Sequence, residues 1–228
     1  MGIIELSSVY IGYKKNIILE NVNFTISNND FIAIVGPNGS GKTTLLRAIL
    51  KKLKPIKGEV SYLEKLTFGY VPQISTVEEF FPFTTYEVVL MGLFNKLNFL
   101  GKEEAKQKVL GVLDYFNIAD VKDKIFRELS DGNKRKALLA RALVSEPKVL
   151  VLDEPTANLD ISSEKATMDL IKKVYDDKKV TVIVVSHQIK TVINHAKKVL
   201  IIKDKKVKLY NSKELNEQQI QNFFQVNA

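Results

Sequence analysis

The stretch Gly36-Pro37-Asn38-Gly39-Ser40-Gly41-Lys42-Thr43 decides the fold, because it fits the pattern G-x-x-x-x-G-K-[ST]. The apolar, largely β-branched run 31–35 precedes it, and apolar residues at helical spacing follow it as far as Lys52. A strand, this loop and a helix in that order confirm a phosphate-binding loop. The glycines let backbone N–H groups converge on phosphates, and the helix N-terminus adds its positive dipole end.

This loop predicts the binding of a nucleoside triphosphate complexed with Mg²⁺. Lys42 is expected to reach the β- and γ-phosphates, and Thr43 offers a hydroxyl group to the metal. The predicted nucleotide ligands in this segment are Gly36, Pro37, Asn38, Gly39, Ser40, Gly41, Lys42, Thr43 and Thr44.

Further strands and helices predict an α/β fold around the loop. Buried strands are expected at 149–152 and 180–185, with a helix at 161–175 between them and a strand pair at 199–210. Apolar strands that alternate with helices indicate a parallel sheet covered on both faces. The first helix is expected to end near Lys52, since Lys54-Pro55 follows.

The segment 75–146 has a different character and predicts a helical insertion. Thr84 and Glu87 have capping-box spacing before an apolar run, and apolar residues between Ala105 and Phe116 follow one helical face. The chain of 228 residues is therefore predicted to form one domain, 1–228, with a core of about 1–74 and 147–228 and a helical subdomain of about 75–146.

Composition limits the possible chemistry. The chain has no cysteine and only two histidines, which excludes disulfides, thiolate zinc sites and cysteine nucleophiles. The net charge of +8 comes mostly from dispersed lysines, with only four arginines, so we do not expect nucleic-acid binding. No stretch reaches the roughly 18 to 20 apolar residues of a membrane-spanning helix, and the N-terminus does not resemble a secretory signal.

Two acids follow the strand at 149–152. Asp153 is placed to hold Mg²⁺, and Glu154 to polarise a water molecule for attack on the γ-phosphate. Two acids after a strand are usually a solvated turn, but together with the phosphate loop they indicate hydrolysis.

With these motifs the sequence resembles the nucleotide-binding subunits of ATP-binding cassette (ABC) transporters along nearly its whole length. Gln73 matches the family's glutamine loop, which links the γ-phosphate and Mg²⁺ to the helical insertion. His187 matches the switch histidine that contacts the γ-phosphate, and Tyr13 the aromatic residue that stacks on adenine. Leu129-Ser130-Asp131-Gly132-Asn133 stands at the LSGGQ signature, and 158–160 at the D-loop. Taken singly, Tyr13, Gln73 and His187 would be an ordinary aromatic, a turn residue and a satisfied histidine.

The resemblance implies a P-loop NTPase (RecA-like) core with a parallel central sheet, an N-terminal antiparallel β subdomain and an inserted α-helical subdomain. It implies an ATPase that uses ATP and Mg²⁺, with Glu154, His187 and Gln73 catalytic, and Thr43, Gln73 and Asp153 at the metal. Two copies are expected to close head to tail around two ATP molecules. Ser130 and Gly132 of each copy would contact the nucleotide of the other.

The signature departs from the family pattern at Asp131, where glycine is usual, and at Asn133, where glutamine is usual. A carboxylate facing a phosphate would be repulsive, so Asp131 is expected to point away, where it suits the N-terminus of the following helix. Ser130 can still cap that helix. The departure bears on the strength of the closed dimer.

The resemblance also implies partners and a location. Membrane-spanning permease subunits on another chain and an extracytoplasmic substrate-binding protein are expected, with this subunit cytoplasmic and peripheral on the inner face of the cell membrane. The run from Tyr70 to Gly92 resembles the metal and metal-chelate uptake branch. The candidates for permease docking or for the insertion's own core are Phe80, Phe81, Phe83, Met91, Leu93, Phe94 and Leu97.

Two other classes remain as alternatives. A soluble ABC ATPase of DNA repair, chromosome organisation, translation or cofactor assembly would usually carry coiled-coil or zinc-bearing insertions or a second cassette. A kinase or GTPase would lack the signature, the switch histidine and the adenine-stacking tyrosine. The transported substrate does not follow from the sequence.

Overall fold

The computed structural model describes residues 1–14, 16–73, 82–96, 100–186 and 192–215. The strands are β1 (Gly2–Tyr13), β2 (Asn16–Ser27), β3 (Phe31–Val35), β4 (Lys57–Tyr62), β5 (Phe68–Val71), β6 (Val149–Asp153), β7 (Thr181–Ser186), β8 (Lys198–Lys203) and β9 (Lys206–Asn211). The α-helices are α1 (Lys42–Ile49), α2 (Thr85–Leu90), α3 (Lys102–Tyr115), α4 (Asp131–Leu143) and α5 (Ile161–Lys178). Short 3₁₀ helices cover Met91–Lys96, Ala119–Val121, Phe126–Glu128 and Ser212–Glu214.

The chain divides into two compact units, residues 1–66 with 158–228, and residues 67–157. The predicted helical subdomain, about 75–146, falls within the second unit. That unit also contains β5 and β6, both of which lie within the predicted core ranges. The domain boundaries given above stay a prediction.

The first unit contains two sheets. In one, β3 lies between β7 and β8 and is parallel to both, and β9 pairs antiparallel with β8. Every residue of β3 and β7 is buried, as expected for parallel strands covered on both faces. In the other sheet, β1 pairs antiparallel with β2 and β4. Its β2 strand buries alternate residues, Val22, Phe24 and Ile26, which is typical of a sheet with one solvated face.

The described residues of the second unit include a parallel strand pair and the helices α2, α3 and α4. Strand β5 pairs in parallel with β6, and all of β6 is buried. Helix α2 begins with the predicted capping box, since the Thr84 side chain accepts from the Glu87 N–H and the Glu87 carboxylate accepts from the Thr84 N–H. Helices α2 and α3 both pack against α4. No helix in the described ranges is long and apolar enough to span a membrane.

Helix α1 is shorter than predicted. It ends at Ile49 rather than at Lys52, because Lys51 adopts a left-handed conformation with φ 54°. The N–H groups of Lys52 and Leu53 then turn back to the carbonyl of Arg47, at 2.8 and 3.1 Å. The apolar spacing continues past the helix, so the pattern alone placed the end too late.

Candidate nucleotide-binding and hydrolysis site

The predicted phosphate loop lies between β3 and α1 in the first unit. Gly39 and Gly41 have φ of 76° and 101°, a region that glycine enters without steric cost. A Cβ on Gly41 would lie 2.7 Å from Cγ2 of Ile18, so the loop also packs tightly against the start of β2. The sequence of this loop thus matches both its backbone conformation and its packing.

Lys42 and Ser40 place polar atoms inside the loop. Lys42 is only 6% exposed, and its Nζ donates to the carbonyls of Gly36 and Pro37 at 2.9 and 3.0 Å. Ser40 Oγ is buried and has no hydrogen-bond partner among the residues that the structure describes. An unsatisfied buried hydroxyl is costly, and a phosphate oxygen would satisfy this one. Thr43 is exposed at the first turn of α1, whereas Thr44 is buried.

Tyr13 is the last residue of β1 and is 43% exposed. Its hydroxyl oxygen accepts a hydrogen bond from Nη1 of Arg47, at 2.9 Å, in the last turn of α1. An exposed aromatic ring beside the phosphate-loop helix suits a stacking surface for a base. Sequence reasoning missed Arg47, because nothing in its spacing from Tyr13 signals the contact.

The acidic residues of the predicted hydrolysis site lie in the second unit. Asp153 ends β6, and its Oδ2 accepts from the hydroxyl of Tyr70 on the neighbouring strand β5, at 3.2 Å. Gln73 Nε2 donates to Glu154 Oε2 at 3.3 Å. Because β5 and β6 are parallel, the residues that follow them meet at one edge. Gln73, Asp153 and Glu154 are therefore brought together, and Tyr70 is a further member that the sequence analysis did not select.

Glu154 has a strained backbone. Its φ is 50°, in the left-handed region, which costs a residue with a side chain of order 1–3 kcal/mol. The carbonyl of Glu154 accepts from the N–H of Ala157 at 3.1 Å and closes a turn directly after β6. This turn fixes the direction in which the Glu154 side chain leaves the end of β6.

The signature segment forms the start of α4. Ser130 is the N-cap, and its Oγ accepts from the N–H of Asn133 at 3.4 Å, as predicted. Asp131 lies exposed in the first turn, where a carboxylate interacts favourably with the helix dipole. Gly132 is also exposed, and a Cβ added there would have no atom within 4 Å. The chain thus leaves open space around this glycine.

Not every predicted residue lies in the part of the chain that the structure describes. His187 lies outside the described residues, as do Phe80, Phe81 and Leu97 of the docking candidates. Leu93 is fully buried, which favours the core of the second unit over a docking surface among its two predicted roles. Phe83 and Phe94 are 37% and 76% exposed. The catalytic, nucleotide-binding and metal-binding assignments stay predictions.

A comparison with known protein families shows to which family the chain belongs. A family profile described as ABC transporter matches residues 19–157. The chain belongs to the ABC transporter family.

Curated relatives of this ABC transporter subunit are ATP-binding proteins. A probable ABC transporter ATP-binding protein of Cyanophora paradoxa is 33% identical over 227 residues, covering 93% of this chain and 93% of that protein. The zinc import ATP-binding protein ZnuC of Buchnera aphidicola is 33% identical over 199 residues, and the alignment covers 87% of this chain and 80% of that protein. The manganese transport system ATP-binding protein MntB of Listeria monocytogenes is 34% identical, with coverages of 89% and 88%.

Solved structures give the same family. A chain of a metal-chelate type ABC transporter in an inward-facing conformation has a TM-score of 0.87 and 27% identity, with coverage of 98% of this chain and 89% of that one. A dimeric post-hydrolysis ATP-binding cassette bound to ADP and Pi has a TM-score of 0.76, 28% identity, and coverages of 92% and 98%. The predicted fold class and the predicted ATP-binding, ATP-hydrolysing subunit of an ABC transporter are confirmed.

Proposed function

We propose that this ATPase subunit energises the uptake of a metal ion or metal chelate through the ATP-dependent closure of two copies of the chain. The zinc import and manganese transport relatives support the substrate class, as does the metal-chelate type transporter among the structural neighbours. These proteins align along most of the chain, so the likeness is not confined to the nucleotide-binding motifs. The soluble ABC ATPase alternative has no such support among them.

ATP binding is assigned to the loop 36–44 and to Tyr13. Lys42 and the loop N–H groups hold the phosphates, Ser40 Oγ gains a partner that it lacks among the described residues, and Tyr13 stacks on adenine. The helix dipole of α1 adds to the attraction, since the loop ends at its N-terminus.

Mg²⁺ is assigned to Thr43, Gln73 and Asp153. A hydroxyl, an amide oxygen and one carboxylate are oxygen ligands, and so small a protein set suits Mg²⁺, which keeps water and phosphate ligands. When bound, the ion neutralises charge on the β- and γ-phosphates. No cluster of three or more His, Cys, Asp or Glu residues occurs in the described ranges, so a metal cage made only of protein ligands has no support there.

Hydrolysis is assigned to Glu154 as the base that takes a proton from the attacking water. Gln73 orients the carboxylate through the 3.3 Å hydrogen bond, and His187 contacts the γ-phosphate. The left-handed backbone of Glu154 is fixed by the turn to Ala157 and keeps the carboxylate pointing toward Gln73 before the nucleotide binds. The hydrogen bond between Gln73 and this acid, directly after β6, is the observation that carries the proposal.

Each site is completed by a second copy of the chain. Ser130 and Gly132 contact the γ-phosphate of the nucleotide held by the partner copy, and the open space at Gly132 gives that nucleotide room. The dimeric post-hydrolysis cassette among the neighbours supports this association. ATP then favours the closed pair, and loss of the γ-phosphate reopens it.

The second unit is assigned to contact with permease subunits on a separate chain, at the inner face of the cell membrane. Phe94 is 76% exposed in a 3₁₀ helix, and Phe83 is 37% exposed ahead of α2, so both present some apolar surface to solvent. An extracytoplasmic substrate-binding protein completes the importer.

The test of hydrolysis and closure is Glu154→Gln, which keeps the shape of the side chain and removes the base. We expect turnover to fall by about 10²- to 10⁴-fold, ATP to remain bound, and an ATP-dependent dimer to appear in gel filtration. Glu104→Gln, on the exposed first turn of α3, is the matched control and should behave as wild type. A Glu154→Gln protein that stays monomeric with ATP, together with wild-type activity per molecule that is independent of protein concentration, would refute the composite site.

The transport assignment is tested by purifying the tagged chain from its native membranes. We expect a multi-spanning partner, and after reconstitution into vesicles we expect ATP-dependent movement of Zn²⁺, Mn²⁺ or a metal chelate. Co-purification of nucleic acid alone would overturn this assignment and favour a soluble ABC ATPase.

A further inference from the structure

The contact between Tyr13 and Arg47 joins the end of β1 to the helix that follows the phosphate loop. Arg47 Nη1 lies 2.9 Å from the Tyr13 hydroxyl oxygen, and both side chains are exposed. Arg47 stands in the last turn of α1, whereas Lys42 begins that helix. At a rise of about 1.5 Å per residue, the five steps between them correspond to about 7.5 Å along the axis.

The backbone that carries Arg47 is firmly held. Its carbonyl accepts from the N–H groups of Lys52 and Leu53, and the neighbouring carbonyl of Ile49 accepts from the Tyr62 hydroxyl at 2.6 Å. The opposite side of α1 is buried through Leu45, Leu46, Ala48 and Ile49. A guanidinium group attached to this support can fix the direction of a ring that is 43% exposed at the end of β1.

We propose that Arg47 is a positioning residue that holds the Tyr13 ring in the orientation that stacks on adenine. This inference rests on the proposed role of Tyr13 in ATP binding. Helix α1 then aligns both ends of the nucleotide, the phosphates at its first residue and the base through Arg47 in its last turn. The guanidinium group contacts the tyrosine and leaves direct phosphate binding to the loop.

A purely structural role for Arg47 makes a different prediction. A cation in the last turn of a helix also interacts favourably with the helix dipole. If this were the role of Arg47, its loss would destabilise α1 and weaken the binding of every ligand to the phosphate loop. A positioning role affects only ligands that carry a base. Binding of ATP and of inorganic tripolyphosphate, which has no base, therefore separates the two roles.

The experiment measures dissociation constants for ATP and for tripolyphosphate, by competition with a fluorescent ATP analogue. Ordering one flexible side chain is worth about 2- to 10-fold in affinity. We expect Arg47→Met and Tyr13→Phe each to weaken ATP binding by about that factor, with tripolyphosphate binding unchanged. The double variant should be no weaker than either single variant, because both substitutions remove the same hydrogen bond.

Kinetics and two further variants complete the test. In Arg47→Met the loss should appear in KM for ATP, with kcat at saturating ATP nearly preserved, and Arg47→Lys should recover part of the affinity. Lys54→Met removes an exposed cation beyond the helix and is the matched control, with ATP affinity as in the wild type.

Three results would overturn the inference. These are equal weakening of ATP and tripolyphosphate by Arg47→Met, additive losses in the double variant, and no effect of Arg47→Met on ATP. If Tyr13→Ala weakens ATP binding and Arg47→Met does not, the positioning role alone fails. If Tyr13→Ala has no effect, the proposed adenine contact fails as well.

Discussion

Replacing Gly132 with alanine separates the stability of the chain from the closure of the dimer. Gly132 lies in the first turn of α4, does not have a positive φ, and has no atom within 4 Å of an added Cβ. Alanine favours a helix over glycine by up to about 1 kcal/mol. The isolated subunit should therefore become more stable, with Tm higher by about 1–4 °C for a chain of this size.

Dimer closure should respond in the opposite direction. If Gly132 faces the nucleotide of the partner copy, a methyl group fills the space that this nucleotide needs. Overpacking of that kind costs about 1–3 kcal/mol at each of the two nucleotides, which weakens the dimer by about 5- to 150-fold per site. ATPase activity should fall in parallel, because each site then lacks its second half.

Gly111 offers a matched control. It lies in the middle of α3, and an added Cβ there also meets nothing within 4 Å. Gly111→Ala should raise Tm in the same way and leave dimer formation and ATPase activity unchanged. The assay is sedimentation with ATP, with each alanine placed in the Glu154→Gln background, together with steady-state ATPase rates of the single variants.

The result that refutes this reasoning is specific. A Gly132→Ala protein that gains stability and still forms a full-strength ATP dimer would remove Gly132 from the composite site. A Gly132→Ala protein that loses stability would contradict the open space found around this glycine.

Three further predictions concern the second unit and α5. Tyr70→Phe removes the hydroxyl that donates to Asp153, so the Mg²⁺ concentration needed for half-maximal nucleotide binding should rise about 10-fold, as measured by Mg²⁺ titration with a fluorescent ATP analogue. Hydrogen bonds from the two serines that follow Asp160 lower the pKa of its carboxyl group, so its stabilising effect is present at neutral pH and is lost as the pH falls below the ordinary value of 3.8. Thermal unfolding should accordingly show Asp160→Asn less stable than the wild type at pH 7, with the difference shrinking progressively as the pH falls below 3.8. Leu93→Ala should cost about 2–5 kcal/mol of unfolding free energy in a denaturant titration, whereas Phe94→Ser should leave stability unchanged and reduce recovery of the permease partner from membranes.

Local sequence patterns predicted the features that depend on neighbouring residues. The phosphate loop, the buried strand at 31–35 and the capping box of α2 each depend on a few consecutive residues whose backbone requirements are known. The Ser130 cap was predicted for the same reason. The order of these motifs along the chain was sufficient to predict the family.

Contacts between distant residues could not be predicted in this way. Tyr13 and Arg47 are 34 positions apart, and Tyr70 and Asp153 are 83 apart, so only the folded chain brings each pair together. The left-handed backbone of Glu154 is similarly invisible, since glutamate has no preference for that conformation. The sequence left Leu93 open between a core and a docking surface, because an apolar residue in a short 3₁₀ helix fits both equally well, and its burial in the folded chain favours the core.

The hydrogen bonds of the buried Lys42 affect how much this residue contributes to nucleotide affinity. Its ammonium group already donates to the carbonyls of Gly36 and Pro37, so phosphate oxygens have to compete with the loop's own oxygens for it. This exchange lowers the net affinity gained from the lysine, because hydrogen bonds are traded rather than added. As the products leave, the ammonium group can return to these two carbonyls, so emptying the site does not leave a buried cation without hydrogen-bond acceptors.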